Sequence, residues 1–211
     1  MTRTDGMVLM AMDLQNDFCH PDGVYGRGGK GFSHVPNGAS EIMPRVIDVL
    51  RACNEAEVPI VATRLLVLAD KKGRAIGLEH FRGDLQELFA AEGFRRGTWG
   101  QDLVAEVREA VEPDFEVNKW GHSAMYLTEL EKVLRALGAR HLVFVGLATN
   151  GVVEGTARDA VSRGWKVTTL TDCVAAPNPS LHEASLRNLG HIGSLHTAGE
   201  LIAALSKEPA A

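Results

Sequence analysis

Apolar positions along this chain follow two rhythms. Near-continuous apolar runs at 7–12 and 142–145, with shorter β-branched runs at 58–63, 115–117, 165–170 and 192–195, have the length and composition of strands. The continuous runs predict strands buried on both faces of a parallel sheet. Between them lie stretches with apolar residues at helical spacing. Val46, Ile47, Leu50 and Cys53 share one face of a helix predicted over 40–57, with Ser40 as N-cap and Pro44 in the first turn. Leu130, Val133, Leu134 and Leu137 do the same for a helix opened by a Thr128–Glu131 capping box and stopped at Gly138. Further helices are predicted at 84–91, 101–110, 151–163 (stopped at Gly164), 182–189 and 198–205. Pro59 opens its strand, where a missing N–H costs no ladder bond. Strands alternating with helices predict an α/β fold. It is a three-layer, doubly wound, mostly parallel sheet of about six strands with helices on both faces, in one domain over 1–211.

In such sheets ligands sit beyond the carboxyl ends of the strands. Three strand ends here carry chemistry. Asp13 follows the run 7–12; alone it reads as a loop-capping residue. Lys119 follows 115–117; beside Trp120 and Met125 it reads as a surface residue or a partly desolvated one. The stretch 146–160 reads as strand end, small polar loop and helix start, which turns backbone N–H groups toward whatever lies in front. A carboxylate, a lysine and a helix N-terminus at one sheet edge make a site the preferred reading.

Composition narrows the function. Apolar residues are 45% and charged residues 23% of 211, enough for a sizeable core and against disorder. A net charge of −5 argues against a nucleic-acid partner. No apolar run reaches membrane-spanning length and residues 1–6 hold no signal-peptide core, so no membrane partner is expected. Cys19, Cys53 and Cys173, odd in number and far apart, read as free thiols in a reducing cytoplasm. The run 26–31 matches G-x-G-x-x-G but neither follows a strand nor opens a helix, so nucleotide binding is discounted; 19–39 reads as a mobile lid. Residues 64–100 carry the weakest pattern. Trp99 there lines a pocket, seals an interface or simply packs.

Three blocks together carry a resemblance: Asp13-Leu14-Gln15-Asn16-Asp17-Phe18, Lys119 with His122-Ser123-Ala124-Met125, and 146–160. In that order, over nearly the whole chain, they resemble the isochorismatase-like hydrolase superfamily of nicotinamidases, N-carbamoylsarcosine and ureidoacrylate amidase-type enzymes, biuret hydrolases and isochorismatases. The resemblance implies Asp13 as general base and Lys119 as its partner. It implies an oxyanion hole from the backbone N–H groups of Ala148 and Val152, beside a cis peptide. Phe18, Trp99, Trp120 and His122 are the expected substrate contacts. No cofactor and no metal are implied: nothing between 60 and 84 matches the Asp-x-His motif of some nicotinamidases. The substrate would be a small molecule and the assembly a homodimer or tetramer.

The chain departs from the pattern at His122, often Tyr, at Met125, often Phe, and above all at Val152, which stands where the amidases carry their nucleophilic Cys. Valine has no nucleophile, so the thioester route cannot run there. Three readings stay open. One is a cysteine-independent hydrolase acting on an ether or C–N bond through Asp13, Lys119 and water, as isochorismatases lack this Cys too. Another is a catalytically silent module that binds a small molecule or a protein. The third is a laboratory replacement of Cys.

Overall fold

β1 (Met7–Met12) is buried along its whole length and shares its side chains between two cores. Met7, Leu9 and Ala11 enter one; Val8, Met10 and Met12 enter the other. A strand apolar on both faces needs cover on both, and this one sits at the centre of the sheet. The computed structural model describes residues 5–27, 38–79 and 81–206. After β1 come two single turns of helix, α1 (Asn16–Cys19) and α2 (Val24–Arg27), then the long α3 (Ala39–Glu55). β2 (Ile60–Leu65) follows, with a small hairpin of β3 (Leu68–Ala69) and β4 (Ala75–Ile76). Next are α4 (Asp84–Ala91), a 3-10 turn at Trp99–Gln101, α5 (Ala105–Ala110) and β5 (Phe115–Lys119). The second half runs α6 (Leu130–Ala136), β6 (His141–Leu147), a π turn at Thr149–Val153, α7 (Glu154–Ser162), β7 (Lys166–Ala175), α8 (Pro179–Ile192), β8 (Ser194–His196) and α9 (Ala198–Leu205).

The main sheet has six strands, ordered β5-β2-β1-β6-β7-β8, every pair parallel. α3 and α9 fill one core, and α6, α7 and α8 the other. The expected three-layer α/β sheet is thus the observed one. Connections from β1 go outward to β2 on one side, while β6 pairs on the other, so strand order reverses between β1 and β6. A crevice opens at such a reversal. Among the described residues no helix is long and apolar enough to cross a membrane.

Local expectations were corrected where tertiary contacts outweigh pattern. α3 begins at an N-cap Gly38 with no side-chain cap, so Ser40 lies inside the helix, as does Pro44. No capping box forms at α6. The Thr128 hydroxyl donates to the Ala124 carbonyl (2.5 Å) and accepts the Leu130 N–H (3.2 Å), while Glu131 pairs with Arg135 and Arg163. The helix expected over 101–110 divides into the 3-10 turn and α5, since the Asp102 carboxylate takes the Leu103 N–H and binds Arg108. β7 runs on to Ala175, placing Cys173 within a strand. Of the glycine run 26–31 only Gly26 and Arg27 lie among the described residues, and most of the expected lid falls outside them; Gly26 and Arg27 close α2.

A capping box does form on α9, between Thr197 and Glu200. Thr197→Ala is expected to cost about 1 kcal/mol in urea unfolding; an unchanged midpoint would show that packing of Leu201 and Leu205 alone holds the helix.

Candidate active site

β1 ends at Asp13, whose φ of 52° lies in the left-handed region, uncommon outside glycine but tolerated by Asp. The Asp13 N–H bonds the Thr63 carbonyl (3.1 Å) on neighbouring β2, carrying the ladder as far as this residue. The carboxylate is held at both oxygens. Oδ1 accepts the Thr63 hydroxyl at 2.8 Å and Oδ2 pairs with Lys119 Nζ at 2.8 Å. Lys119 is the last residue of β5, two strands away, and its stem crosses the end of β2 to reach Asp13. Its ammonium also donates to the Gly121 carbonyl at 3.0 Å. Both side chains are almost fully buried. Burial pushes the Asp13 carboxyl above the ordinary aspartate range, while Lys119, the Thr63 hydroxyl and His122 pull it back.

Gln15, Asn16 and Asp17 brace this strand end. Gln15 Oε1 accepts the Leu65 N–H (2.7 Å), and its Nε2 donates to the carbonyls of Leu65 and Gln101. Asn16 donates to the Trp99 carbonyl (2.8 Å), and the Asp17 carboxylate accepts the N–H groups of Val24 and Phe94. Buried polar groups fully engaged in this way fix a loop in one conformation.

Opposite Asp13, β6 runs through Gly146 and Leu147 into the π turn. The Leu147–Ala148 peptide is cis, and Gly151 takes a non-helical φ of −118° and ψ of −108° before α7 begins. Val152 is 4% exposed and belongs to the core that holds Met125 and Phe144, yet it reaches the cavity wall. Thr149 is tied to α8 through His182 Nδ1 (2.9 Å).

Between these strand ends lies a cavity of about 550 Å³. Asp13, Lys119, Ala148, Val152, Phe18 and His122 all line it, so six of the eight residues singled out from sequence meet there. Trp99 and Trp120 do not. Trp99 is 54% exposed, its ring edge-on to His20, and it serves the site through its carbonyl. Trp120 donates to the Leu127 carbonyl and lines a separate hollow of about 240 Å³ beside the β3–β4 hairpin. Tyr25, Phe81, Leu85 and Phe89 on the far wall were missed. The i, i+4 spacing of Phe81, Leu85 and Phe89 was their one signal; Tyr25 sits in a stretch with none.

No thiol reaches this wall among the described residues. Burial pushes Cys53 up to about 12, and burial with the Asp13 charge pushes Cys19 higher still. Cys173 is raised by burial and by Asp172. All three remain protonated thiols at neutral pH. Among the described residues no three His, Cys, Asp or Glu side chains converge as a metal site requires. The chemistry on offer is one buried carboxylate with its lysine, facing a turn at the start of a helix.

Residues 7–200 match the family described as Isochorismatase domain. This chain belongs to the isochorismatase family of hydrolases. Nicotinamidase 3 of Arabidopsis thaliana is 31% identical over 158 residues, 74% of this chain and 75% of its own length. A second Arabidopsis thaliana protein, named probable inactive nicotinamidase, is 30% identical over 201 residues, 92% of this chain and 95% of its own. The crystal structure of an isochorismatase-like hydrolase from Alkaliphilus metalliredigens superposes with a TM-score of 0.74 at 23% identity, covering 96% of this chain and 99% of that one. That likeness extends the family assignment to the fold.

Proposed function

We propose that this chain hydrolyses a small molecule with Asp13, Lys119 and water, and without a cysteine. The observation that carries the reading is the buried Asp13–Lys119 pair, 2.8 Å apart, on the wall of a cavity. Burying two charges is costly, and well-packed apolar residues of similar volume are often at least as stable. A pair placed where a ligand can touch it is accounted for by chemistry.

On a C–N bond, the Asp13 carboxylate takes a proton from water as the oxygen adds to the carbonyl carbon. The backbone N–H groups of Ala148 and Val152 and the Lys119 ammonium stabilise the oxyanion. Asp13 then hands the proton to the leaving nitrogen as the C–N bond breaks, and is a carboxylate again. On an enol ether the order reverses. A protonated Asp13 gives its proton to the enol carbon, water adds to the electron-poor carbon and returns a proton to Asp13, and the hemiketal so formed collapses, its hydroxyl proton passing to the ether oxygen as the C–O bond breaks to leave an alcohol and a carbonyl. Val152 in the place of the family's Cys rules out an acyl-thioester in both cases.

Turnover of ethers, ureido compounds and simple amides by the purified chain, with Asp13→Asn as blank, tests the reading. Turnover that survives in the variant would overturn it. The pH profile then separates the two bond types, because burial places the Asp13 carboxyl above the ordinary 3.8. A general base must be ionised, so C–N hydrolysis is expected to fail as pH falls through this raised value. An acid must be protonated, so ether cleavage is expected to fail as pH rises through it. A rate independent of pH across that window would remove Asp13 from the mechanism.

A second reading, a silent binding module, is favoured by one observation, the similarity to a relative named as inactive. Val152→Cys decides between them. In a site whose Asp13, Lys119 and turn are otherwise competent, the variant is expected to gain amide hydrolysis with a burst of acyl-enzyme. A wild type and a Cys variant both without turnover would support the silent module.

A further inference from the structure

Thr63 is a fully buried hydroxyl inside the apolar strand β2, where it pairs with Met12, the residue before Asp13. Valine has nearly the same shape, suits a strand as well and carries no polar group to desolvate. The fold alone therefore gives no reason for the hydroxyl. Its oxygen stands between two groups of Asp13. It donates to Oδ1 at 2.8 Å and lies 3.3 Å from the Asp13 N–H, which also reaches the Thr63 carbonyl. The Met12 sulfur, 3.9 Å away, is a weak alternative acceptor. One hydroxyl carries one proton, so an ionised Asp13 holds it. Lys119 takes Oδ2 from the end of a long flexible stem, which can follow a turning carboxylate. Thr63 branches at Cβ and sits on a strand, so it cannot follow. Two donors from two strands, one on each oxygen, set the plane of the carboxylate, and Thr63 is the stiffer of them.

We propose that Thr63 is a positioning residue that acts through Asp13: its hydroxyl proton on Oδ1 fixes the plane of the carboxylate and the readiness with which Asp13 takes up a proton. This rests on the reading that Asp13 is the working acid or base, but its test does not need turnover. The charges around Asp13 leave a place for such a residue. Burial pushes the carboxyl up, and Lys119, the Thr63 hydroxyl and His122 oppose it. Cys19 and Tyr25 also feel the Asp13 charge, but burial first and that charge second keep both protonated. Asp84 shares the cavity wall. A hydrogen bond given to a charged carboxylate is stronger than one given to a neutral carboxyl, so the hydroxyl favours the ionised form. Without it Asp13 takes its proton at a higher pH. Thr63 thus widens the pH range in which Asp13 serves as a base and narrows the range in which it serves as an acid.

Thr63→Val removes the donor and Thr63→Ser keeps it. Carbon-13 spectra of the aspartate carboxyl groups follow Asp13 directly, its signal assigned by its loss in Asp13→Asn. The Val variant is expected to half-titrate about one pH unit above the unaltered chain, and the Ser variant close to it. Stability gives a second readout. At low pH Asp13 is protonated in both proteins, and the melting temperatures of Val variant and unaltered chain differ least. The gap is expected to widen as pH rises through the two titrations, because the ionised carboxylate is the form that misses the donor. In turnover, the limb of the kcat profile that Asp13 sets is expected to move up with the titration in the Val variant and to return in the Ser variant. A Val variant that titrates with the unaltered chain, or that is equally destabilised or unfolded at every pH, would overturn the proposal and leave the hydroxyl a matter of packing. So would a Ser variant that behaves like the Val variant. The expected titration and stability pattern without turnover of any amide or ether would keep the hold of Thr63 on Asp13 and discard the hydrolase. Turnover whose profile is unmoved in the Val variant would keep the hydrolase and discard the proposal.

Discussion

Asp13→Asn is expected to lower kcat/KM by about 10²–10⁴-fold, the range for removing a positioned acid–base group. Asparagine keeps the shape of the side chain and one oxygen for the Thr63 hydroxyl, but it can neither take nor return a proton. The variant also leaves the Lys119 ammonium buried without its counter-charge, which costs roughly 3–5 kcal/mol. A lost rate and a lowered melting temperature are therefore expected together, and alone they would not separate catalysis from architecture. The double variant Asp13→Asn, Lys119→Met does separate them. Asn tolerates the left-handed backbone and keeps an oxygen for the Thr63 hydroxyl, while Met removes the unpaired buried ammonium, so stability is expected to return to near that of the unaltered chain while turnover stays absent. A double variant less stable than either single would identify the pair as structural. Turnover in Asp13→Asn at the original rate would end the proposed mechanism.

The site's polar end was legible in sequence because it is built on strand ends. Asp13 closes a continuous apolar run, and the turn after Leu147 closes another, so each address follows from a pattern the sheet itself imposes. Lys119 lies at the end of a strand two residues longer than its apolar pattern, yet it still falls at the same edge. The aromatic end was not legible. The helix that carries Leu85 and Phe89 was expected at 84–91 and is there, but its place against the strand ends depends on contacts distant in sequence, such as Asp17 taking the Phe94 N–H and Gln15 gripping Leu65 and Gln101. Tryptophan misled for a related reason. Trp99 and Trp120 look like pocket rings, but an indole is amphipathic and satisfies itself at a surface. Trp120 gives its N–H to the Leu127 carbonyl, and Trp99 remains half exposed. The capping box expected at Thr128 lost to a tighter local option, the bond back to Ala124, while a box that was not expected formed at Thr197.

Gly146→Ala is expected to be strongly destabilising. Gly146 stands directly beside Met12 in the β1–β6 pairing, one residue before Leu147 and the turn, while Met12 stands one residue before Asp13. Its φ is 108°, outside the conformations an L side chain accepts readily. A Cβ there would overlap the Met12 carbonyl oxygen and come within 2.8 Å of the Met12 nitrogen. Both obstacles are backbone of a central strand and cannot swing aside. Costs above about 4 kcal/mol are the mark of such a clash, and in a chain of this size that corresponds to a melting point lower by on the order of 10 °C or more. Gly164→Ala supplies the comparison. Its φ of 93° is similarly unfavourable, but nothing lies within 4 Å of the added carbon, so only the conformational cost of about 1–2 kcal/mol is expected. If both variants melt alike, backbone conformation alone sets the penalty and close approach of β1 and β6 contributes little. If Gly146→Ala is far the worse, the two strands are held together by the absence of that one carbon. Turnover should then fall further than the loss of folded protein explains, because the same strand ends aim the Asp13 carboxylate and the Ala148–Val152 turn at one point.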